Sequence, residues 1–163
     1  MTCMCRRHAL MLIGCAAALP LAGCFEPETG PVDIAWDRDS CELCRMLISD
    51  PKFAAQVRGG PSHKIHKFDD IGCAITWLND KPWAGDPKIE IWVAEQNSTR
   101  AAMRWLDARK VRFIAGAMTP MNYGFAAVAG DAATALTFEQ VADRVLKGGP
   151  NHICHTPVGQ AAG

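Results

Sequence analysis

Two thiols and a thioether fall within one short stretch, Cys41-Glu42-Leu43-Cys44-Arg45-Met46. All three are soft donors, and soft donors select Cu(I) and other thiophilic ions over hard cations. A Cys-x-x-Cys pair can also be half of a zinc site or a redox pair. Structural zinc normally takes four ligands; here His152, Cys154 and His155 could supply others, from a C-terminal tail. A thioredoxin-like centre opens a long helix whose N-terminus lowers the thiol pKa, yet Asp50-Pro51 arrives soon after Cys44. Haem attachment would require His where Arg45 stands. Met46 discriminates among these chemistries. On an extended segment Cys44 and Met46, two apart, project from one face and can reach one ion. A neutral thioether beside a thiolate suits Cu(I) better than Zn(II). The competing reading of Met46 is core packing beside Leu47 and Ile48.

Two further stretches carry sulfur. Met118-Thr119-Pro120-Met121-Asn122-Tyr123-Gly124 places two thioethers around a proline turn, where they serve as donors or as adaptable packing. Phe68-Asp69-Asp70-Ile71-Gly72-Cys73 puts Cys73 in the first turn of an expected helix, where the helix dipole favours thiolate. The plainer reading of Cys73 is a buried residue on the helix core face. His63 and His66 are candidate nitrogen ligands, though single histidines are ordinarily surface residues.

The elements that must position these donors follow from local pattern. Phe53 to Val57 reads as a strand, Gly59-Gly60-Pro61-Ser62 as a turn, and His63 to Phe68 as the second arm of a hairpin. Asp69 or Asp70 can cap a helix over Ile71 to Leu78, with Ile71, Ile75 and Leu78 at helical spacing. Ile89, Ile91 and Val93 alternate as a strand. The second half repeats this plan more loosely, with strands at Trp105 to Ala108, Lys110 to Ala115 and Tyr123 to Ala129. Thr137 then caps a helix from Phe138 to Lys147, with Gln140 completing a capping box.

The N-terminus reads as an export signal. Arg6 and Arg7 precede an apolar run from Ala9 to Leu21, and Leu21-Ala22-Gly23-Cys24 closes it with small residues before a cysteine. The run is short for a membrane span, so a plain signal-anchor helix is the lesser alternative. Leu12-Ile13-Gly14-Cys15 would leave almost no apolar region, and Arg6-Arg7 alone does not establish a twin-arginine signal. The stretch resembles a bacterial lipobox, which implies removal of residues 1–23 and acylation of Cys24. The tether 24–32 then holds the domain off a membrane, residues 33–147 form the domain, and 148–163 form a mobile tail. Cys41, Cys44, Cys73 and Cys154 remain as thiols.

The whole chain has 163 residues, 17 basic against 17 acidic. Without a clustered basic face, no nucleic-acid partner is expected. Five Trp and six Phe supply enough apolar surface for a real core. No catalytic base, nucleophile pair or phosphate loop is evident, so no enzyme is expected.

Cys41-x-x-Cys44-x-Met46, Phe68-Asp69-Asp70-Ile71-Gly72-Cys73, Trp105-Leu106-Asp107-Ala108 and Thr119-Pro120-Met121, in this order behind a lipobox, resemble the NosL family of nitrous oxide reductase accessory lipoproteins. The similarity spans roughly residues 33–145. It implies an α+β fold of two small ββαβ-type units with mainly antiparallel strands, about 33–95 and 96–147. It also implies a periplasm-facing Cu(I) chaperone, lipid-anchored through Cys24; Phe25, which follows, is not an inner-membrane retention residue, so the outer membrane is favoured over the inner. The implied partners are the nitrous oxide reductase apoprotein, for its copper–sulfide site, and a membrane ABC-type assembly complex; a homodimer stays open. The family's ligands carry over to Cys44 and Met46 and, less firmly, to Met121. Cys41 is a second thiolate or exchange ligand, with Met118, Cys73 and His66 as further candidates. Two departures stand out: the family usually has Gly where this chain has Arg45 and Asn122. The rival readings are a periplasmic thiol–disulfide oxidoreductase using Cys41 and Cys44, a metal-binding lipoprotein with another client, and a structural zinc module.

Overall fold

A computed structural model describes residues 28–130 and 134–149. The expected signal segment, Cys24 and the tail group His152, Cys154 and His155 lie outside the described residues.

Strand β1 (Ala55–Gly59) and strand β2 (Lys64–Phe68) form an antiparallel hairpin, in register from Ala55 opposite Phe68 to Gly59 opposite Lys64. Gly60 turns the corner at φ +77°, a conformation open to glycine without a Cβ clash. Helix α1 (Ile71–Asn79) follows, and of the two candidate caps it is Asp70 that accepts the Gly72 amide, at 2.8 Å. Strand β3 (Glu90–Ala94) returns to pair antiparallel with the other edge of β1. The expected strand, strand, helix, strand order is therefore what forms.

Strand β4 (Trp105–Asp107) pairs with β3, which extends the first sheet to the order β2-β1-β3-β4. Strands β5 (Arg112–Ala115) and β6 (Phe125–Val128) make a separate antiparallel pair. Helix α2 (Phe138–Gly148) closes the fold, and the Thr137–Gln140 capping box is present in both directions. The fold class is α+β with mainly antiparallel strands. The second half departs from a full copy of the first because its opening strand, β4, joins the first sheet. Backbone pairing to the exposed edge of β3 satisfies its N–H and C=O groups there.

β1 is one of the two inner strands of the first sheet and is buried along its length. Val57 faces the core, whereas Gln56 and Arg58 point the opposite way, as alternation requires. There the chain ahead of the domain covers them. The Gln56 amide bonds both the Val32 N–H (2.9 Å) and the Val32 carbonyl (2.7 Å), and Arg58 donates to the Gly30 carbonyl. Residues 28–32, expected to be part of the tether, are thus hydrogen-bonded along the sheet, because two buried polar side chains need those partners.

Phe68 and Phe113 have no exposed surface. Each contributes on the order of 2–3 kcal/mol by burial. Val141 and Val145, four apart on α2, are its buried residues, and α2 packs against α1. The consequence for function is positional: the core clamps the end of β2 and the first turn of α1, and the Phe68-to-Cys73 stretch lies between them.

Candidate metal centre

The Cys41–Met46 stretch is the turn of a small closed loop. Ser40 bridges Leu47, the Cys41 N–H donates to the Met46 carbonyl (2.8 Å), and the Arg45 N–H donates to the Cys41 carbonyl (3.0 Å). Arg45 sits at φ +67°. The stretch is therefore not extended, and the same-face argument for Cys44 and Met46 does not apply; loop closure turns the chain between them. Asn122 likewise has φ +56°. Both positions where the resemblance implies Gly are left-handed here, a conformation that favours Gly.

The loop is pinned to β2 by the Glu42 N–H, which donates to the Lys67 carbonyl (3.0 Å). This brings it against the start of α1. The Cys41, Cys44 and Cys73 sulfurs and an Asp69 carboxylate oxygen lie within 4.8 Å of one another. Cys41 and Cys73 are fully buried, Asp69 is nearly so, and Cys44 is half-buried. Cys44 Sγ donates to Asp69 at 3.5 Å and 3.6 Å.

Protons are unevenly shared in this cluster. Cys41 is the thiolate, pulled down to about 4 chiefly because the Cys73 S–H donates to it, with the Asp69 and Cys44 amides also donating. Cys73 is pushed well up, first by giving its hydrogen bond to Cys41 and then by burial. Burial, and then the charge on Cys41, push Cys44 up to about 12, although the Met46 amide donates to its sulfur. Asp69 rises to about 6, through burial and the neighbouring Cys41 thiolate. One thiolate, two thiols and one carboxylate make a donor set whose thiols lose their protons as a metal ion enters.

The other sequence candidates are placed differently from one another. Met46 is 53% exposed and Met118 91%, so neither is held in the core. Met121 packs against the core. Its amide, the Thr119 hydroxyl and the Gly72 amide all face the Asp70 carboxylate, which ties the methionine turn to the first turn of α1. Tyr123 lies on Gly72 so closely that an added Cβ there would fall inside its ring. His66 is elsewhere. Its ring packs on Trp77 at 4.3 Å, its Nδ1 faces Glu42 Oε1 at 3.5 Å, and burial lowers its pKa. It is not part of the four-residue group.

Asp69 is the donor that sequence reasoning passed over, treating it only as a helix cap. The signal was in the pair: only one of two adjacent aspartates can cap a helix. Once Asp70 does so, Asp69 must find another use for a buried carboxylate.

No curated protein matches the chain. Its structure is similar to the crystal structure of the copper chaperone NosL from Shewanella denitrificans, with a TM-score of 0.46, 18% identity, and coverage of 75% of this chain and 87% of that one. The NosL family model matches residues 31–143. That match spans the hairpin, both sulfur loops, the first turn of α1 and most of α2, and on it the chain belongs to the NosL family.

Proposed function

We propose that this protein is a Cu(I) carrier of the cell envelope, anchored to a membrane through acylated Cys24 and facing the periplasm. The observation that carries the reading is the convergence of Cys41, Cys44 and Cys73, from two separate segments, into one sulfur cluster. Thiolates with an adjacent thioether are the donor class that Cu(I) prefers. Cys44, half-buried, is the sulfur through which an ion enters and leaves, with exposed Met46 two residues on and Met121 as a further candidate donor. Ligand exchange would proceed by an incoming thiolate, thioether or imidazole replacing these donors one at a time.

The client in this reading is the nitrous oxide reductase apoprotein, with a membrane ABC-type complex assisting assembly of its copper–sulfide site. This rests on family membership. The role is that of a carrier, not an enzyme. A thiol–disulfide oxidoreductase is disfavoured by geometry: such a centre needs an accessible cysteine at the N-terminus of a helix, whereas here Cys41 is fully buried and the Cys-x-x-Cys pair turns a closed loop.

The test is an anaerobic Cu(I) titration of the full chain in detergent against a chromophoric chelator, alongside Cys44→Ser and Met46→Leu. Tight binding at one ion per chain or per dimer, lost in Cys44→Ser and weakened in Met46→Leu, is the expected result. Wild-type binding no stronger than that of Cys44→Ser would sink the reading.

A further inference from the structure

The same pocket carries a fourth donor that a Cu(I) site does not call for. Soft Cu(I) has little use for a carboxylate, whereas divalent zinc-class ions take thiolates and carboxylates together in a tetrahedron. Asp69 is 2% exposed, and its carboxylate faces Cys44 Sγ rather than a basic side chain.

The geometry is close to that of a closed four-ligand site. With Zn–S bonds of about 2.3 Å and a Zn–O bond of about 2.1 Å, a regular tetrahedron has S···S edges of about 3.8 Å and S···O edges of about 3.6 Å. The Cys44 Sγ to Asp69 separations of 3.5 and 3.6 Å already equal that S···O edge. The four donor atoms fall within 4.8 Å of one another, so side-chain adjustments of about an ångström would complete the figure.

The backbone is arranged in the same sense. The Cys44 amide donates to Cys41 sulfur and the Met46 amide donates to Cys44 sulfur. Left-handed Arg45 follows the second cysteine and permits that turn. Together these make a knuckle in which peptide N–H groups share the charge of two metal-bound thiolates. Cys73 comes from the first turn of α1, whose N-terminal dipole favours a third.

We propose that Cys41, Cys44, Cys73 and Asp69 form a tetrahedral S3O site for a thiophilic divalent cation of the zinc class. This binding mode is an alternative to Cu(I) in the same pocket. It rests on the pocket described above and shares Cys41, Cys44 and Cys73 with the copper reading, so the two ions exclude one another. It needs neither Met46 nor Met121, which separates the two modes experimentally.

The experiment uses the reduced full chain in detergent, titrated anaerobically with Co2+ alone as the spectroscopic probe and then with Zn2+ to displace it. One Co2+ per chain is expected, with the intense visible bands of a tetrahedral ion and thiolate-to-metal charge transfer. Cys73→Ser should remove roughly a third of the charge-transfer intensity, since one of three thiolates is lost. Asp69→Asn should shift the visible bands and weaken binding by at least about tenfold, the effect of removing even an outer partner of a metal site. Met46→Leu should leave the cobalt spectrum unchanged. Because Cys73 is fully buried, Asp69→Asn and Cys44→Ser keep the test decisive if Cys73→Ser does not fold. Weak six-coordinate cobalt spectra, or Asp69→Asn and Cys44→Ser spectra that match wild type, would overturn the proposal. Cu(I) binding without tetrahedral cobalt would overturn this site while sparing the copper reading. Tetrahedral cobalt without Cu(I) binding would do the reverse.

Discussion

Cys44 gives its S–H to Asp69, at 3.5 Å from one carboxylate oxygen and 3.6 Å from the other, so the more accessible thiol of the cluster is held protonated. Cys41, buried beneath it, carries the thiolate instead. Reactivity and accessibility are separated between two residues of one Cys-x-x-Cys motif. An ion can be met at the surface by a neutral thiol and then held by a buried anion.

The first consequence is chemical. The carboxylate of Asp69 is among the charges that raise Cys44. Asp69→Asn should therefore lower the Cys44 pKa and speed its alkylation by iodoacetamide in the metal-free chain near pH 8. A drop of one unit would raise the thiolate fraction about tenfold and, since a less basic thiolate is less nucleophilic, the rate roughly threefold. Mass spectrometry of the labelled peptide would check this, and an unchanged or slower rate would contradict it.

The metal-free chain should also show a pH-dependent stability with two opposing parts. Cys41 is depressed from 9.0 to about 4, so between those values the unfolded chain binds a proton that the folded one does not, and stability rises with pH. Asp69 is raised from 3.8 to about 6, so between those values the folded chain binds the extra proton and stability falls with pH. The two offset each other below about pH 6, and the net rise belongs to the interval from about 6 to 9. Urea midpoints measured across pH 5 to about 8.5 should keep climbing in wild type above about pH 7, beyond the rise that lowered His66 adds near 6.5, and stay level there in Cys41→Ser.

Arg45→Gly should not destabilise the loop. A non-glycine residue at φ +67° carries roughly 1–2 kcal/mol of left-handed cost. Glycine removes it at about 0.5–1 kcal/mol of added chain entropy. The Arg45–Glu42 ion pair is mostly exposed on the arginine side and contributes little. Thermal melts should show a midpoint equal to or a few degrees above wild type. Asn122→Gly should change less, because asparagine tolerates the left-handed region. A marked loss in Arg45→Gly would mean that Arg45 makes a contribution the loop geometry does not reveal.

Gly72→Ala should be costly. The added methyl would occupy the Tyr123 ring position, and both Gly72 and Tyr123 are buried. Overpacking of a close-packed site costs about 1–3 kcal/mol. Tyr123 also reaches Thr76 through its hydroxyl (3.3 Å), so its displacement would disturb α1 and the methionine turn together. A lowered denaturation midpoint with weaker Cu(I) retention is expected. Wild-type stability would show that Tyr123 can move aside freely.

Much of this molecule was legible before any coordinates. Alternation at Ile89, Ile91 and Val93, the glycine turn after Arg58, and the Thr137–Gln140 capping box are local signals, and local hydrogen bonding and periodicity are what set strands, turns and helix ends. The ordered sulfur motifs were legible for the same reason, since residue type and spacing are one-dimensional facts.

What the sequence could not decide was which donors meet. Cys41 and Cys73 are far apart in the chain, and only the docking of the loop onto β2, through the Glu42 amide, sets them side by side. The handedness of Arg45 was hinted at only by the Gly that the resemblance implies there, since loop closure rather than the preference of arginine imposes it. Asp69 became a donor because Asp70 took the cap, and β4 left the second half because β3 offered an unpaired edge. By itself the sequence determined the elements, the family pattern and the stock of soft donors. Tertiary structure decided the grouping of Cys41, Cys44, Cys73 and Asp69, because long-range burial selects which polar groups must partner one another.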